Sequence, residues 1–153
     1  MDPVDAQILS VLQADGRITN AELAERVRLS PSPCLRRVRR LERDGVISGY
    51  HATLDRRRVG LGVTVFVELK VDGHSAEVTE QIERALADVP EVVAAHIVSG
   101  PADFLLEVVV ADLDHYERLL IGRLLTLPNV SDVRSNFALR TIKSGAPLPV
   151  GPG

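Results

Sequence analysis

Arginine is concentrated in one short stretch of this 153-residue chain. Between positions 28 and 43 the only acidic residue is Glu42, and the stretch contains six arginines: Arg28, Arg36, Arg37, Arg39, Arg40 and Arg43. Guanidinium groups can contact phosphates or make bidentate hydrogen bonds to guanine edges in a DNA groove. The structural alternative is a basic helix face that is only solvated, so the surrounding elements must decide between the two interpretations.

Residue types that support catalysis or metal binding do not cluster in the sequence. The four histidines (51, 74, 96 and 115) are scattered, and there is neither a glycine-rich phosphate loop nor an evident nucleophile–base pair. The single cysteine, Cys34, excludes an internal disulfide and a cysteine-rich zinc site, and is expected to be a small buried hydrophobe. We therefore predict no catalytic residue, no metal site, no cofactor and no enzymatic activity.

Charge is divided unevenly along the chain, although the net charge is only −3. Residues 1–60 contain 11 arginines and 8 acidic residues, whereas residues 61–153 contain 7 basic and 13 acidic residues. Such asymmetry indicates a nucleic-acid-binding module joined to a different module. No apolar run approaches the roughly 18–20 residues of a membrane helix, and the N-terminus lacks signal-peptide character. We expect a cytoplasmic, nucleoid-associated protein that does not bind membranes.

Three short helices are predicted in the first third of the chain. Asp2 and Pro3 begin the first helix, and Thr19 with Glu22 forms a capping box for the second. Ser32 and Pro33 are expected to begin the third helix. A short turn between the second and third helices makes this arrangement a helix-turn-helix.

The third helix has the pattern of a recognition helix. At 100° per residue, Cys34, Val38 and Leu41 form an apolar stripe. Arg36, Arg40 and Arg43 lie opposite this stripe, flanked by Arg37 and Arg39. Free backbone N–H groups and hydroxyls at the helix N-terminus suit a phosphate. The predicted DNA-binding residues are therefore Ser30, Ser32, Arg36, Arg37, Arg39, Arg40 and Arg43.

The second half of the chain reads as a repeated β-α-β unit. Alternating apolar residues predict a strand at 63–71, and helical spacing follows over 75–89. A strand at 92–98 completes the first copy, and the second copy comprises a strand at 104–110, a helix near 114–125 and a strand at 130–142. Two copies predict a ferredoxin-like β-α-β-β-α-β domain. Phe66, Val93, Ala95 and Ile97 would make the second sheet face apolar, which predicts homodimerisation through the sheet.

The predicted fold class is therefore α+β. A helix-turn-helix (winged-helix-like) DNA-binding domain occupies residues 1–47, and a linker strand and hinge occupy residues 48–62. A ferredoxin-like ligand-binding and oligomerisation domain occupies residues 63–142. Residues 143–153, rich in proline and glycine, are expected to form a flexible tail or an arm that reaches a neighbouring subunit.

Motifs in both halves resemble the leucine-responsive/asparagine-responsive (Lrp/AsnC) family of transcriptional regulators. They are Asp5-Ala-Gln-Ile-Leu9, Ala21-Glu-Leu-Ala24, Leu29-Ser-Pro-Ser-Pro-Cys-Leu-Arg-Arg-Val-Arg-Arg-Leu-Glu42, Gly45-Val-Ile47 and Val98-Ser-Gly-Pro-Ala-Asp-Phe-Leu-Leu106. The resemblance covers residues 2–142. It implies dimers that pair through the sheets, an octamer of four dimers, and amino-acid effectors bound between dimers. The expected DNA partner is a double-stranded, pseudo-palindromic operator.

An effector site is expected around the turn that follows the third-to-last strand. Backbone N–H groups near Gly100 could bind a carboxylate, and Asp103 could bind an ammonium group; alternatively, Asp103 only caps the turn. The resemblance adds hydroxyl-bearing positions on the last strand, where Val133 departs from the threonine of many relatives. The predicted effector residues are Ser99, Gly100, Ala102, Asp103, Phe104, Val133 and Ser135.

Three functions remain open at this point. The first is a sequence-specific regulator that responds to a small effector, expected to be an amino acid. The second is a nucleoid-architectural protein of the same fold that wraps DNA with little effector response. The third, least favoured because of the arginine stripe, is an enzyme similar to tetrapyrrole decarboxylases.

Overall fold

The structure of the protein is a computed structural model that describes residues 1–73 and 75–151. His74, and the last two positions of the predicted tail, lie outside the described residues. The chain divides into two compact units. The first contains residues 1–53 together with the segment that starts at Ile142, and the second contains Leu54–Thr141.

The first unit is built from three helices: α1 (Pro3–Ala14), α2 (Asn20–Arg26) and α3 (Pro31–Arg43). The predicted capping box of α2 is present, because the Thr19 side chain accepts from the Glu22 N–H and the Glu22 carboxylate accepts from the Thr19 N–H. A small apolar core, which includes Ile8, Leu23 and Cys34, joins the helices. The predicted helix-turn-helix is therefore confirmed.

Helix α3 begins two residues earlier than the sequence pattern predicts. Ser30, not Ser32, is the N-cap residue, and Pro31 occupies the first helical position. Both Pro31 and Pro33 fit because the N–H groups of the first helical turn have no intrahelical acceptor. The two prolines thus allow the helix to start before the point at which Pro33 was expected to begin it.

The second unit contains a four-stranded antiparallel sheet with two helices on one face. In chain order its elements are β1 (Val63–Val71), α4 (Ala76–Ala87), β2 (Val92–Ile97), β3 (Phe104–Val110), α5 (Leu113–Gly122), a 3-10 turn (Leu124–Thr126) and β4 (Val130–Phe137). The strand order is β2-β3-β1-β4, so the central strands β1 and β3 belong to different repeats. This is the predicted ferredoxin-like topology.

Alternation along the two central strands builds the core of the second unit. Val65, Val67 and Leu69 of β1 are fully buried against Ile82 of α4 and Leu119 of α5. The intervening residues of β1 point to the other face of the sheet, which we call the open face. Phe66 on this face is 40% exposed.

A bulge in β2 changes the predicted composition of the open face. The register shifts between Val92 and Ala94, so Ala95 pairs with Leu106 and Ile97 pairs with Phe104. Directly opposed residues project on the same side of a sheet, so Ala95 and Ile97 lie on the helix-covered side rather than on the open face. Their expected placement on the open face was wrong, because a simple period of two does not hold across a bulge.

Two predicted strands are shorter or absent. Residues 48–62 contain no strand in the described chain, although a linker strand was expected there. Strand β4 ends at Phe137 rather than at position 142. Phe137 pairs with Val65 and the Ala138 N–H donates to the Thr64 carbonyl, so β1, which begins at Val63, has no partner for a strand that continues to 142. In both places the sequence has the pattern of a strand, but no neighbouring strand pairs with it.

The C-terminal segment packs on the first unit instead of standing apart as a free tail. The Gln13 side chain donates to the Leu148 carbonyl at 3.2 Å and accepts from the Leu148 N–H at 2.6 Å. Val150 packs against the apolar core of the three helices. This paired amide contact gives the segment a defined position on α1.

Candidate functional site

Helix α3 presents one side to solvent along its whole length. Its exposed residues include Ser32, Leu35, Arg36, Arg39 and Arg43. These residues recur at spacings of three and four, and so form one stripe on the helix. We call this stripe the outer face of α3. Opposite it, Cys34 and Leu41 are buried against the other helices, and burial raises the pKa of the Cys34 thiol.

Arg37 and Arg40 are turned away from the outer face and bind carboxylates of α1. The Arg40 Nη2 atom donates to Asp5 Oδ2 at 2.7 Å, and Arg37 Nη1 donates to Asp5 Oδ1 at 2.8 Å. Arg37 Nη1 also contacts the Asp2 carboxylate. Arg40 was expected on the arginine stripe with Arg36 and Arg43, and Arg39 only beside it; the structure exchanges these two positions. Arg39 takes that place, because Asp5 draws Arg40 toward α1.

The carboxylates in this cluster are held in their charged form. Burial raises the pKa of Asp5, but hydrogen bonds from the Asp2 backbone and the Arg37 side chain outweigh it, and the net shift is downward. The pKa of Asp2 is also lowered, first by the Asp5 N–H and then by Arg37. On the outer face, in contrast, the side chains of Arg36 and Arg39 have no hydrogen-bond or ion-pair partner among residues 1–73 and 75–151. Arg43 Nε lies 3.4 Å from Asp44 Oδ1, and both side chains are exposed.

The N-terminus of α3 offers fewer backbone donors than the sequence interpretation assumed. Pro31 and Pro33 have no N–H, and the Cys34 N–H donates to the Ser30 carbonyl at 3.2 Å. Ser32 keeps an exposed N–H and hydroxyl, and the Ser30 side chain makes no capping hydrogen bond. A phosphate at this helix end would therefore depend on Ser30 and Ser32 rather than on a row of backbone amides.

In the second unit, the turn between β2 and β3 brings together the predicted effector residues near Gly100. Ser99 and Gly100 are exposed, and Gly100 has a φ of +129°, which favours glycine. Ala102 and Phe104 are buried. The Asp103 carboxylate accepts from the Val71 N–H at 2.9 Å. Asp103 thus links the turn to β1.

Val133 and Ser135 of β4 lie on the helix-covered side of the sheet. Val133 packs against the main core. The Ser135 hydroxyl is 2.5 Å from the Tyr116 hydroxyl of α5, and Tyr116 is 4% exposed. Both residues pair with the central strand β1, opposite Leu69 and Val67. The structure therefore does not bring these two side chains to the surface beside the Gly100 turn.

The alternate residues of β4 reach a small cleft beside that turn. The cleft, of about 30 Å³, is lined by Glu68, Leu69, Lys70, Pro101, Ala102, Asp132 and Arg134. Arg134 Nη1 lies 3.7 Å from Glu68 Oε2. Two cationic and two anionic side chains therefore surround one opening at the open face. Asp132 and Arg134 were not predicted as site residues, because the sequence pattern does not show which residues of β4 face the helices.

A larger groove of about 330 Å³ runs between α4 and β2, lined largely by apolar side chains such as Leu86, Val93, Ile97 and Phe104.

The described residues include no group of three or more metal-binding side chains. In the described chain no helix is long and apolar enough to cross a membrane.

Comparisons with known proteins match both units. Residues 1–48 match a family model described as winged helix-turn-helix DNA-binding, and residues 64–148 match the Lrp/AsnC ligand binding domain. The leucine-responsive regulatory protein of Escherichia coli is 43% identical over 150 residues, which cover 98% of this chain and 92% of that protein. The matched families are those of transcriptional regulators, not enzymes.

Solved structures resemble the whole chain. A transcriptional regulator from Neisseria meningitidis, solved as a complex with L-Met, has a TM-score of 0.93 at 37% identity and covers 97% of this chain and 96% of its own. A regulator of the AsnC family from Agrobacterium tumefaciens also has a TM-score of 0.93, with 39% identity and 97% coverage of each chain. These likenesses confirm the predicted α+β architecture.

Proposed function

The chain belongs to the Lrp/AsnC family of DNA-binding transcriptional regulators, and we propose that it reads DNA with the outer face of α3 under the control of a free amino acid. The observation that carries this proposal is the separation of the arginines of α3. Arg36, Arg39 and Arg43 are exposed on one stripe, whereas Arg37 and Arg40 are bound to Asp5.

The outer face suits a major groove. In a helix-turn-helix, the N-terminal part of the recognition helix meets base edges, which here brings Ser32, Leu35 and Arg36 closest to them. Arginine can bind guanine O6 and N7, and an apolar side chain such as Leu35 can contact a thymine methyl group. Arg39 and Arg43, farther along the helix, are then suited to bases or phosphates at the groove edge.

The amino-acid effector is supported by the chemistry of the cleft beside Pro101. A free amino acid carries one carboxylate and one ammonium group, and the cleft offers Lys70 and Arg134 for the first and Glu68 and Asp132 for the second. The Neisseria meningitidis relative was solved with L-Met. We propose Asp132 and Arg134 as the β4 contacts in place of Val133 and Ser135, with Glu68 and Lys70 contributed by β1.

A second copy of the chain is proposed to complete that site. The cleft of about 30 Å³ is far smaller than ordinary ligand pockets, which are roughly 300–1,000 Å³. The open face beside it also exposes Phe66 and the outward charges of β1 and β4. We propose that sheet-to-sheet pairing covers this face and encloses the ligand within a dimer, rather than between dimers as the family resemblance implied. We further propose that the dimers assemble into octamers.

The test begins with DNA from upstream of the protein's own gene. Wild-type protein should protect two half-sites about one helical turn apart, and a variant in which Arg36, Arg39 and Arg43 are all alanine should lose this protection. The Gln7→Ala variant, on the exposed side of α1, serves as a folded control. Protection that persists in the triple variant would contradict the proposed DNA-reading face.

The effector is tested by calorimetry with each of the twenty amino acids, followed by DNA binding in the presence of any that bind. A regulator should show at least one amino acid that changes DNA affinity or assembly. The architectural alternative predicts DNA wrapping that no amino acid alters. Binding that is unchanged in the Lys70→Ala and Arg134→Ala variants would contradict the proposed site while leaving the regulator assignment intact.

A further inference from the structure

One carboxylate of α1 binds two arginines of the recognition helix. Asp5 is 1% exposed, and its two oxygens accept separately from Arg37 at 2.8 Å and Arg40 at 2.7 Å. Its Oδ2 atom also accepts from the Asp2 N–H at 3.1 Å. Each oxygen of this buried charge therefore has a guanidinium partner.

The position of Asp5 is unusual for a carboxylate. It lies one helical turn before Ile8 and Leu9, on the side of α1 that faces the apolar core. Burial of a charge is costly, and a buried ion pair is weak evidence of added stability. A buried ion pair is better attested as a device that favours one structural arrangement over others. Here the arrangement it would favour is one rotation of α3 about its own axis.

Helix α3 needs such a selection because its arginines are chemically equivalent. Five of them occur between positions 36 and 43, and successive arginines are one to three positions apart. Packing of Cys34, Val38 and Leu41 turns one side of the helix toward the apolar core, but it makes no direct contact that singles out particular arginines. The Asp5 carboxylate distinguishes Arg37 and Arg40 from the others, and together with the Asp2 carboxylate it balances their two charges. Arg36, Arg39 and Arg43 are left on the outer face.

We propose that Asp5 is a positioning residue for DNA recognition, which withholds Arg37 and Arg40 from the phosphates and so raises the preference for specific over non-specific DNA. This inference rests on the proposed docking of the outer face of α3. Non-specific binding is driven by phosphate contacts, and each contact adds about 0.9 to the slope of log affinity against log salt concentration. Withholding two arginines therefore limits non-specific affinity.

Loss of the Asp5 charge should release Arg40 fully, and should release Arg37 to the extent that it also leaves its remaining partner, Asp2. The Arg40 side chain is already 43% exposed and that of Arg37 is 29% exposed, so both can reach outward when unpaired. In the Asp5→Asn variant the salt slope should steepen by up to about 1.8 per protomer, from two added contacts. Each added contact makes affinity fall about 3.5-fold further when salt rises from 50 to 200 mM.

The experiment measures binding of full-length protein to its operator and to a random duplex of equal length, at several salt concentrations. Asp5→Asn should bind the random duplex more tightly at low salt, with a steeper slope and a lower ratio of specific to non-specific affinity. Asp15→Asn, the same change at an exposed acidic residue that ends α1, should behave as wild type.

A rescue variant separates positioning from a general structural role. Combining Asp5→Asn with Arg37→Gln and Arg40→Gln removes the released charges, and should return the salt slope to the wild-type value. A purely structural defect would not be repaired by removing two more side chains. A steep slope that persists in this triple variant would overturn the proposal, as would a wild-type slope and ratio in Asp5→Asn.

The single variant Arg40→Gln covers the case in which Asp5→Asn does not fold. Asp5 then keeps Arg37 and the Asp2 N–H as partners, and the salt slope should remain that of wild type. Arg39→Gln, the matched change on the outer face, should lower the slope by about 0.9 if it contacts a phosphate. A loss of about 0.9 in Arg40→Gln would overturn the inference, because Arg40 would then be a DNA contact. Failure of the proposed function is distinct, since no variant would then show specific binding.

Discussion

The hydroxyl pair between α5 and β4 gives a sharp energetic prediction for the second unit. Tyr116 is buried, its hydroxyl meets Ser135 Oγ at 2.5 Å, and its ring packs edge-on against Phe137 with centroids 5.2 Å apart. Burial raises the pKa of Tyr116, although the Ser135 hydrogen bond opposes this, so the hydroxyl stays neutral at physiological pH. It requires a hydrogen-bond partner in its buried site.

The perturbation is Ser135→Ala, which leaves the Tyr116 hydroxyl buried without this partner. The expected cost in the free energy of unfolding is about 1–3 kcal/mol. Tyr116→Phe should cost less, about 0.5–1.5 kcal/mol, because Ser135 is only half-buried and water can replace its partner. The double variant should be more stable than the sum of the two costs predicts, because no buried polar group is left unpaired.

Hydrogen exchange of the full-length protein, followed by mass spectrometry at fixed protomer concentration, measures these costs. Peptides from α5 and β4 should exchange about 5- to 150-fold faster in Ser135→Ala, since 1.4 kcal/mol corresponds to a factor of ten. Ser131→Ala, an exposed serine on the same strand, is the matched control. Additive costs in the double variant, or a Ser135→Ala effect no larger than the control, would refute the reasoning.

Three further predictions concern separate features. Because the pKa of Asp5 is lowered in the folded protein, its charge stabilises the fold fully above the ordinary value near 3.8, and this stabilisation is lost as the pH falls through the lowered value. In Asp5→Asn the thermal unfolding midpoint should therefore fall less steeply at acid pH than in wild type. An equally steep fall in the variant would count against this reasoning. Gln13→Ala removes both hydrogen bonds to Leu148, so the C-terminal peptide should lose its exchange protection, whereas equal protection in the variant would show that the contact is unimportant. Phe66→Lys places a charge on the open face and should convert dimers to monomers in light scattering, while Phe66→Leu should not; a dimeric Phe66→Lys protein would contradict sheet-to-sheet pairing.

Local sequence signals predicted most of the fold. The Thr19–Glu22 capping box fixed the start of α2, and the alternation over 63–71 gave β1 with its buried face. These features were accessible because caps and periodicities depend on neighbours within a few residues. The ferredoxin-like β-α-β-β-α-β domain was predicted from the repeated β-α-β unit and was confirmed.

Features that depend on distant partners were not accessible in the same way. The bulge after Val92 reversed which residues of β2 face the helices, and no local pattern marked it. The helical wheel placed Arg40 beside Arg36 because it treated α3 alone. A signal was nevertheless present, since Asp5 lies on the apolar side of α1, and a carboxylate buried there requires a cationic partner.

The predicted effector residues also differ in how far local sequence could place them. The Gly100 turn was located correctly in sequence, and Asp103 lies in it with a backbone partner on β1. The contribution of β4 could not be resolved, because adjacent residues on a strand point to opposite faces. The structure places Ser135 beside Tyr116, and Asp132 and Arg134 beside Pro101.

A structure of the full-length protein bound to an operator duplex would show which arginines of α3 contact DNA. We expect the guanidinium groups of Arg36, Arg39 and Arg43 to lie within hydrogen-bond distance of bases or phosphates, while Arg37 and Arg40 remain on Asp5. A complex in which Arg40 leaves Asp5 to contact the duplex, or in which the outer face of α3 points away from the DNA, would contradict this expectation.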